Sequence, residues 1–146
     1  MSLNTVNAQA GALDYLGHTI DGSELTNEME SIGNYQSVAR STYLHQGFVR
    51  ITNNGGGYVG IGAGTECNVT CGTVKLNVYL ERSSGSEDFY SYKKWENVDY
   101  NTSSLYLNQQ VKVEKGYYYR LRGYHSCTKN GVLENGASRT DGIYIG

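Results

Sequence analysis

Cys67 and Cys71 stand four positions apart, and Cys127 lies two residues beyond His125. Thiolate sulfur and imidazole nitrogen are the donors of structural zinc sites, so these four residues are the chain's candidate metal set. Their spacings are CxxxC and HxC rather than the paired CxxC of common zinc modules, and neither a metal nor another cofactor is expected. Three cysteines leave one over after pairing. In an oxidising compartment a disulfide is the default. Cys67–Cys71 is expected, because three intervening residues keep the pair close. Cys127 is the alternative partner, through a Cys71–Cys127 bridge that ties neighbouring strands and closes a longer loop.

Hydrolytic chemistry finds no anchor. The histidines are His18, His45 and His125, and neither GxSxG nor HExxH is present. Glu87 and Asp88 are adjacent in a turn, so their side chains diverge, whereas a glycosidase pair needs carboxyls facing each other at about 5–10 Å. The run Gly55-Gly56-Gly57-Tyr58-Val59-Gly60 matches GxGxxG in form only, since no helix follows it to make a phosphate cradle. The chain is therefore read as not an enzyme, with a hydrolase as the least favoured function.

Binding chemistry is better represented. Residues 113–125, VEKGYYYRLRGYH, hold four tyrosines in eight positions behind a Lys115-Gly116 turn. A period of two puts Tyr117, Tyr119, Leu121 and Gly123 on one face, and Tyr118, Arg120, Arg122 and Tyr124 on the other. Val113 and Tyr119 have the spacing of a tyrosine corner, in which the ring packs inward and its hydroxyl bonds back across the turn. This stretch resembles strand F of fibronectin type III-like sandwiches, with Lys115 where a proline is usual. Neighbouring strands add Tyr79, Tyr90, Tyr92, Lys75 and Lys94 to the outer face. The candidate ligand-binding set is Tyr79, Tyr90, Tyr92, Tyr118, Arg120, Arg122 and Tyr124. Tyrosine offers a flat ring with a polar tip, and arginine planar donors, as interfaces and sugar-stacking surfaces require. The competing reading is structural: cross-strand Tyr–Arg pairs stabilise any sheet face, and Glu81 neutralises Arg120 or Arg122.

Strands must position these groups. The 146 residues include 19 glycines, 14 tyrosines and no proline. Average usage of about 5% would give roughly seven prolines. Helix formers thin out after residue 45, and the composition is all-β, with turns built from Gly, Asn and Ser. Seven strands are expected, at residues 48–52, 58–62, 73–82, 89–98, 104–115, 117–124 and 138–145. The strands at 73, 89, 117 and 138 would form one sheet and those at 48, 58 and 104 the other. The fold expected is a seven-stranded antiparallel β-sandwich of fibronectin type III or immunoglobulin type, over residues 41–146, with an up-and-down barrel as rival. Residues 1–40, locally acidic at Asp21, Glu24, Glu28 and Glu30, are expected to be a partly irregular N-terminal arm.

Net charge is −2, so no nucleic-acid partner is expected. No apolar run approaches the ~18 residues of a membrane helix. Met1-Ser2-Leu3 ahead of polar Asn4 reads as an added leader on a mature chain, and the Tyr-, Asn- and Gly-rich composition is that of an extracellular domain.

Five local patterns occur together: Ile20-Asp21-Gly22-Ser23 with Leu25-Thr26; Val78-Tyr79-Leu80-Glu81-Arg82; Lys115-Gly116-Tyr117-Tyr118-Tyr119-Arg120; Gly123-Tyr124-His125; and Gly142-Ile143-Tyr144-Ile145-Gly146. In this order they resemble an uncharacterised family of small secreted proteins from Gram-positive bacteria, over residues 20–146. The resemblance implies export behind a removed signal peptide and no assigned activity. The function expected is a secreted, non-catalytic binding module for a protein or polysaccharide partner at the cell surface, including another copy of itself. A carbohydrate- or cell-wall-binding module is the alternative.

Overall fold

A computed structural model describes residues 11–36 and 42–146. A short 3-10 turn, Ala12–Tyr15, leads into nine strands: β1 Thr19–Ile20, β2 Ser23–Thr26, β3 Glu30–Gln36, β4 Leu44–Gly55, β5 Tyr58–Ser83, β6 Tyr90–Lys112, β7 Tyr117–Lys129, β8 Val132–Arg139 and β9 Gly142–Ile145. They form one sheet in the order β1-β2-β9-β7-β5-β4-β3, with β6 beside β5 and β8 beside β7. β2 runs parallel to β9 and every other pairing is antiparallel. The protein is thus all-β, with a curled mixed sheet.

The 26-residue β5 and the 23-residue β6 form the hairpin on which the rest is hung. A chain without proline can run such strands, because every residue keeps the N–H that a ladder needs. The edge of β5 away from β6 pairs first with β4, at residues 58–67, and then with β7, at residues 73–83. Between them the hairpin bulges. Glu66 pairs with Ser104 and Cys71 with Thr102, so five steps along β5 match two along β6. Bulges bend and twist a strand. Here the two halves of β5 contribute to one core: Val59, Ile61 and Ala63 from the first half, Leu76, Val78 and Leu80 from the second. Val49 and Ile51 of β4, Tyr119 and Leu121 of β7, and Ile143 and Ile145 of β9 fill the space between.

The seven-stranded antiparallel sandwich is corrected accordingly. The expected strands at 58 and 73 are one strand, as are those at 89 and 104, and the last divides into β8 and β9. Cys67–Cys71 had the look of a connecting loop because it is polar. In fact it is a bulge inside a continuous strand. The two expected sheets are the two halves of one folded sheet. The stretch expected as an irregular arm supplies, between residues 11 and 36, three strands of that sheet. The boundary drawn at residues 40 and 41 lies outside the described residues.

Inward alternation is as the pattern demanded on β4 and β5, and Val113 is buried. On β6, by contrast, Trp95, Leu105, Leu107 and Val111 are only partly buried against the core. Among the described residues that strand pairs with β5 alone, so the curled sheet is open along its far edge.

Candidate functional site

The tyrosine corner exists: the Tyr119 ring is fully buried and its hydroxyl donates to the Glu114 carbonyl at 2.6 Å. Burial pushes the phenol up to about 12. The opposite face of β7 departs from expectation. Tyr118 is 0% and Arg120 1% exposed, so neither is available to a ligand. The N-terminal segment covers them. Tyr118 donates its hydroxyl proton to the Ala12 carbonyl at 2.7 Å and meets Tyr144 edge-on.

Arg120 sits in a socket built from residues about a hundred positions upstream. Asp21 and Gly22, both at positive φ, make the tight turn of the β1–β2 hairpin and aim it at the guanidinium. Nε donates to Glu81 Oε1 at 2.9 Å, Nη1 to the Asp21 carbonyl at 2.8 Å and to Ser23 Oγ at 3.0 Å. Nη2 donates to Asp21 Oδ2 at 2.7 Å and lies 2.9 Å from Glu81 Oε1. Thus four of the five N–H donors have hydrogen-bond acceptors. The Phe89 ring closes the site at 4.3 Å. The Arg120 hydrogen bond and charge hold the Asp21 carboxyl below its usual range. Glu81 Oε2 accepts from Arg122 Nε at 2.9 Å, so this acid serves both arginines.

Part of the face remains open. In register across the sheet stand Lys94 of β6, Tyr79 of β5, Arg122 of β7 and Arg139 of β8. The Arg122 side chain is 47% exposed and its guanidinium lies 5.3 Å from the Tyr79 ring centre. A depression of about 400 Å³ beside this row is lined by Asn34, Arg122, Gly123, Ala137, Ser138 and Arg139. Tyr124 is half-buried and its hydroxyl accepts from Asn135 at 3.3 Å. Tyr90 and Tyr92 belong elsewhere: with Tyr117 they surround the Arg82 guanidinium at 5.5, 4.7 and 4.1 Å. The spacing of β7 predicted its two faces, but nothing local in the sequence joins Arg82 to this cage.

The cysteines converge without bonding. Cys67, Cys71 and Cys127 are free, with sulfurs all within 4.8 Å of one another and none at disulfide distance. The expected Cys67–Cys71 disulfide is not formed in this structure. The bulge holds those two at the ends of one bend, and Cys127 of β7 completes a triad with them rather than leaving a pair. The Cys71 thiol donates to the Val69 carbonyl at 3.5 Å. His125 is not part of the triad. Its Nδ1 lies 3.0 Å from Thr65 Oγ1 and its Nε2 2.7 Å from Ser138 Oγ. Thr65 gives its only hydroxyl proton to the Lys75 carbonyl, so Nδ1 must carry the hydrogen and Nε2 accepts from Ser138. Gly47 makes room for the ring, since a Cβ there would lie 2.3 Å from it.

A curled, mixed, all-β sheet with a partly covered aromatic face and a thiol triad defines the class. The chain belongs to the family of unknown function DUF6147, whose profile matches residues 15–142. No curated protein matches it. The match takes in the β1–β2 hairpin, the Arg120 socket and all three cysteines.

Proposed function

We propose that the chain is an exported, non-catalytic interaction module that binds by strand addition at the free edge of β6, with a second copy as the partner. The observation that carries this reading is the edge itself. Among the described residues, 20 of the 23 positions of β6 pair with β5 and none pairs on the other side. Natural sheets shorten, bulge or cover such edges, because unpaired N–H and C=O groups template another strand. Here the edge also borders partly buried core residues, Trp95 and Leu105 among them, and exposed Val98 and Tyr100. Antiparallel pairing about a two-fold axis at Trp95 would set Lys94 of each copy opposite Glu96 of the other, which supports a second copy as occupant.

Sedimentation over a range of concentrations tests it. Dimers are expected, and Lys94→Glu should weaken them by about tenfold by placing two acids opposite each other. The swap Lys94→Glu with Glu96→Lys should restore association. A wild-type chain that stays monomeric to about millimolar concentration, or a dimer indifferent to both changes, would rule the reading out.

A second reading has its own observation, the row Lys94, Tyr79, Arg122 and Arg139 beside its depression. That row fits an anionic polysaccharide, through stacking on Tyr79 and charge-assisted bonds from the arginines. Retention on insoluble peptidoglycan, lost on Tyr79→Ala with Arg122→Ala, is the expected result. Retention unchanged by the pair would remove this face from consideration. Tyr118→Ala is the wrong control, because that ring is packed under the N-terminal segment.

A further inference from the structure

The bulge that bends the β5–β6 hairpin carries two of three sulfurs that meet at one point. Cys71 is fully buried, Cys127 is 1% exposed and Cys67 is half-buried at the rim. Leu44 and Val74 wall the pocket, with Tyr35, Tyr43 and Leu105 packed against it. We propose that Cys67, Cys71 and Cys127 form a three-thiolate site for a soft d10 metal ion, Cu(I) or Zn(II).

Four observations support this. First, the sulfurs lie within 4.8 Å of one another. A trigonal site with metal–sulfur bonds of about 2.3 Å needs sulfurs about 4.0 Å apart, a small inward movement. Second, the number is odd, so a disulfide would strand one thiol, whereas a trigonal ion uses all three. Third, the nearby alternative donors are committed. Both His125 nitrogens are bonded, to Thr65 and Ser138. Glu134 accepts from the backbone N–H groups of Thr42, Tyr43 and Leu44 at 2.8–3.0 Å. The set is thus sulfur only, which selects thiophilic ions over hard ones. Fourth, Lys129 donates to the Thr70 carbonyl at 2.9 Å, holding a cation against the bulge. Cu(I) is satisfied by three thiolates, while Zn(II) would take a water as fourth ligand on the open Cys67 side.

Burial pushes the Cys67 thiol up to about 12 and the Cys127 thiol up as well. In the metal-free pocket Cys67 and Cys127 are therefore neutral thiols. Coordination by all three releases three protons to the buffer and forms three metal–sulfur bonds, with no change in oxidation state. Three thiolates leave the site at −2 with Cu(I) and −1 with Zn(II), which Lys129 offsets in part.

The test is anaerobic titration of the reduced chain, first confirmed to hold three free thiols, with Cu(I) and separately with Zn(II). Each is set in competition with a chelator of known affinity and followed by thiolate-to-metal absorption for Cu(I). One ion per chain is expected for at least one metal, with all three thiols shielded from alkylation. Which metal wins distinguishes trigonal from water-completed coordination. Cys67→Ser, at the half-buried rim, should weaken binding by more than about a hundredfold while the fold persists in far-ultraviolet circular dichroism. Cys127→Ser should do the same. Failure of the fully reduced chain to hold either ion at one equivalent would overturn the proposal. So would binding that survives Cys67→Ser, or a Cys67–Cys71 disulfide that closes in air and reopens only with reductant.

Discussion

Arg120 shows how far a single residue can be from its apparent role. Its alternation with Tyr118 and Arg122 put it on an outward face, and composition made that face a binding surface. The alternation was right and the exposure was not, because the groups that cover it, Asp21 and Ser23, come from the other end of the chain. The tyrosine corner was legible for the opposite reason: Tyr119 and its acceptor, Glu114, are five residues apart. The socket gives a direct expectation. Arg120→Ala leaves Glu81 buried with only Arg122 as partner and cuts the anchor of the β1–β2 turn. Breaking a buried pair from one side costs about 3–5 kcal/mol. Arg122→Ala, at a half-exposed position, should cost less than about 1 kcal/mol. Urea unfolding of the two variants decides it, and equal losses would mean that Arg120 is not the anchor.

At the scale of elements, strand identity and facing were legible and strand continuity was not. Val74, Leu76, Val78 and Leu80 alternate as a half-buried strand should, and all four are buried. Nothing in Glu66-Cys67-Asn68-Val69-Thr70 marks it as bulged strand rather than loop, because polarity is common to both. Asn101, at positive φ on β6, stands across from that bend and was equally easy to take as a turn residue. Reading one hairpin as four strands produced a two-sheet sandwich where the chain forms one curled sheet, and hid the open edge of β6. The same misreading put the cysteines on a loop, where a disulfide is natural, rather than on a bend that gathers three sulfurs. Register explains the gathering: Val74 pairs with Cys127, and Cys71 precedes Val74 by three residues.

For the whole molecule, the buried polar groups set how stability should depend on pH. His125 is fully buried among Thr65, Ser138 and the space left by Gly47, and that burial lowers it to about 4. The unfolded chain takes up the histidine proton near pH 6.5, while the fold resists it until about pH 4. Protons therefore favour the unfolded state across that window, and stability falls as pH drops through it. The slope should be about 1.4 kcal/mol per pH unit, and the total loss roughly 3 kcal/mol. Asp21, held low by Arg120, and Glu66, held low by the Tyr106 hydroxyl and Gln46, act later. Glu134 does too, since its three backbone N–H bonds outweigh the effect of burial. A lowered carboxyl stabilises above its ordinary value and loses that contribution only as pH falls through the folded one. These three therefore act below about pH 4.5. On the alkaline side the signs reverse: Cys67, Cys127, Tyr118 and Tyr119 are raised by burial, so the unfolded chain ionises first and stability declines above the ordinary thiol range. A plateau between about pH 6.5 and 8.5 follows for the metal-free, reduced chain. Urea unfolding at pH 7, 6 and 5 isolates the histidine, because the carboxylates are still ionised there. His125→Gln should flatten the decline across those points while lowering stability throughout, and an unchanged slope would show that another group carries the proton.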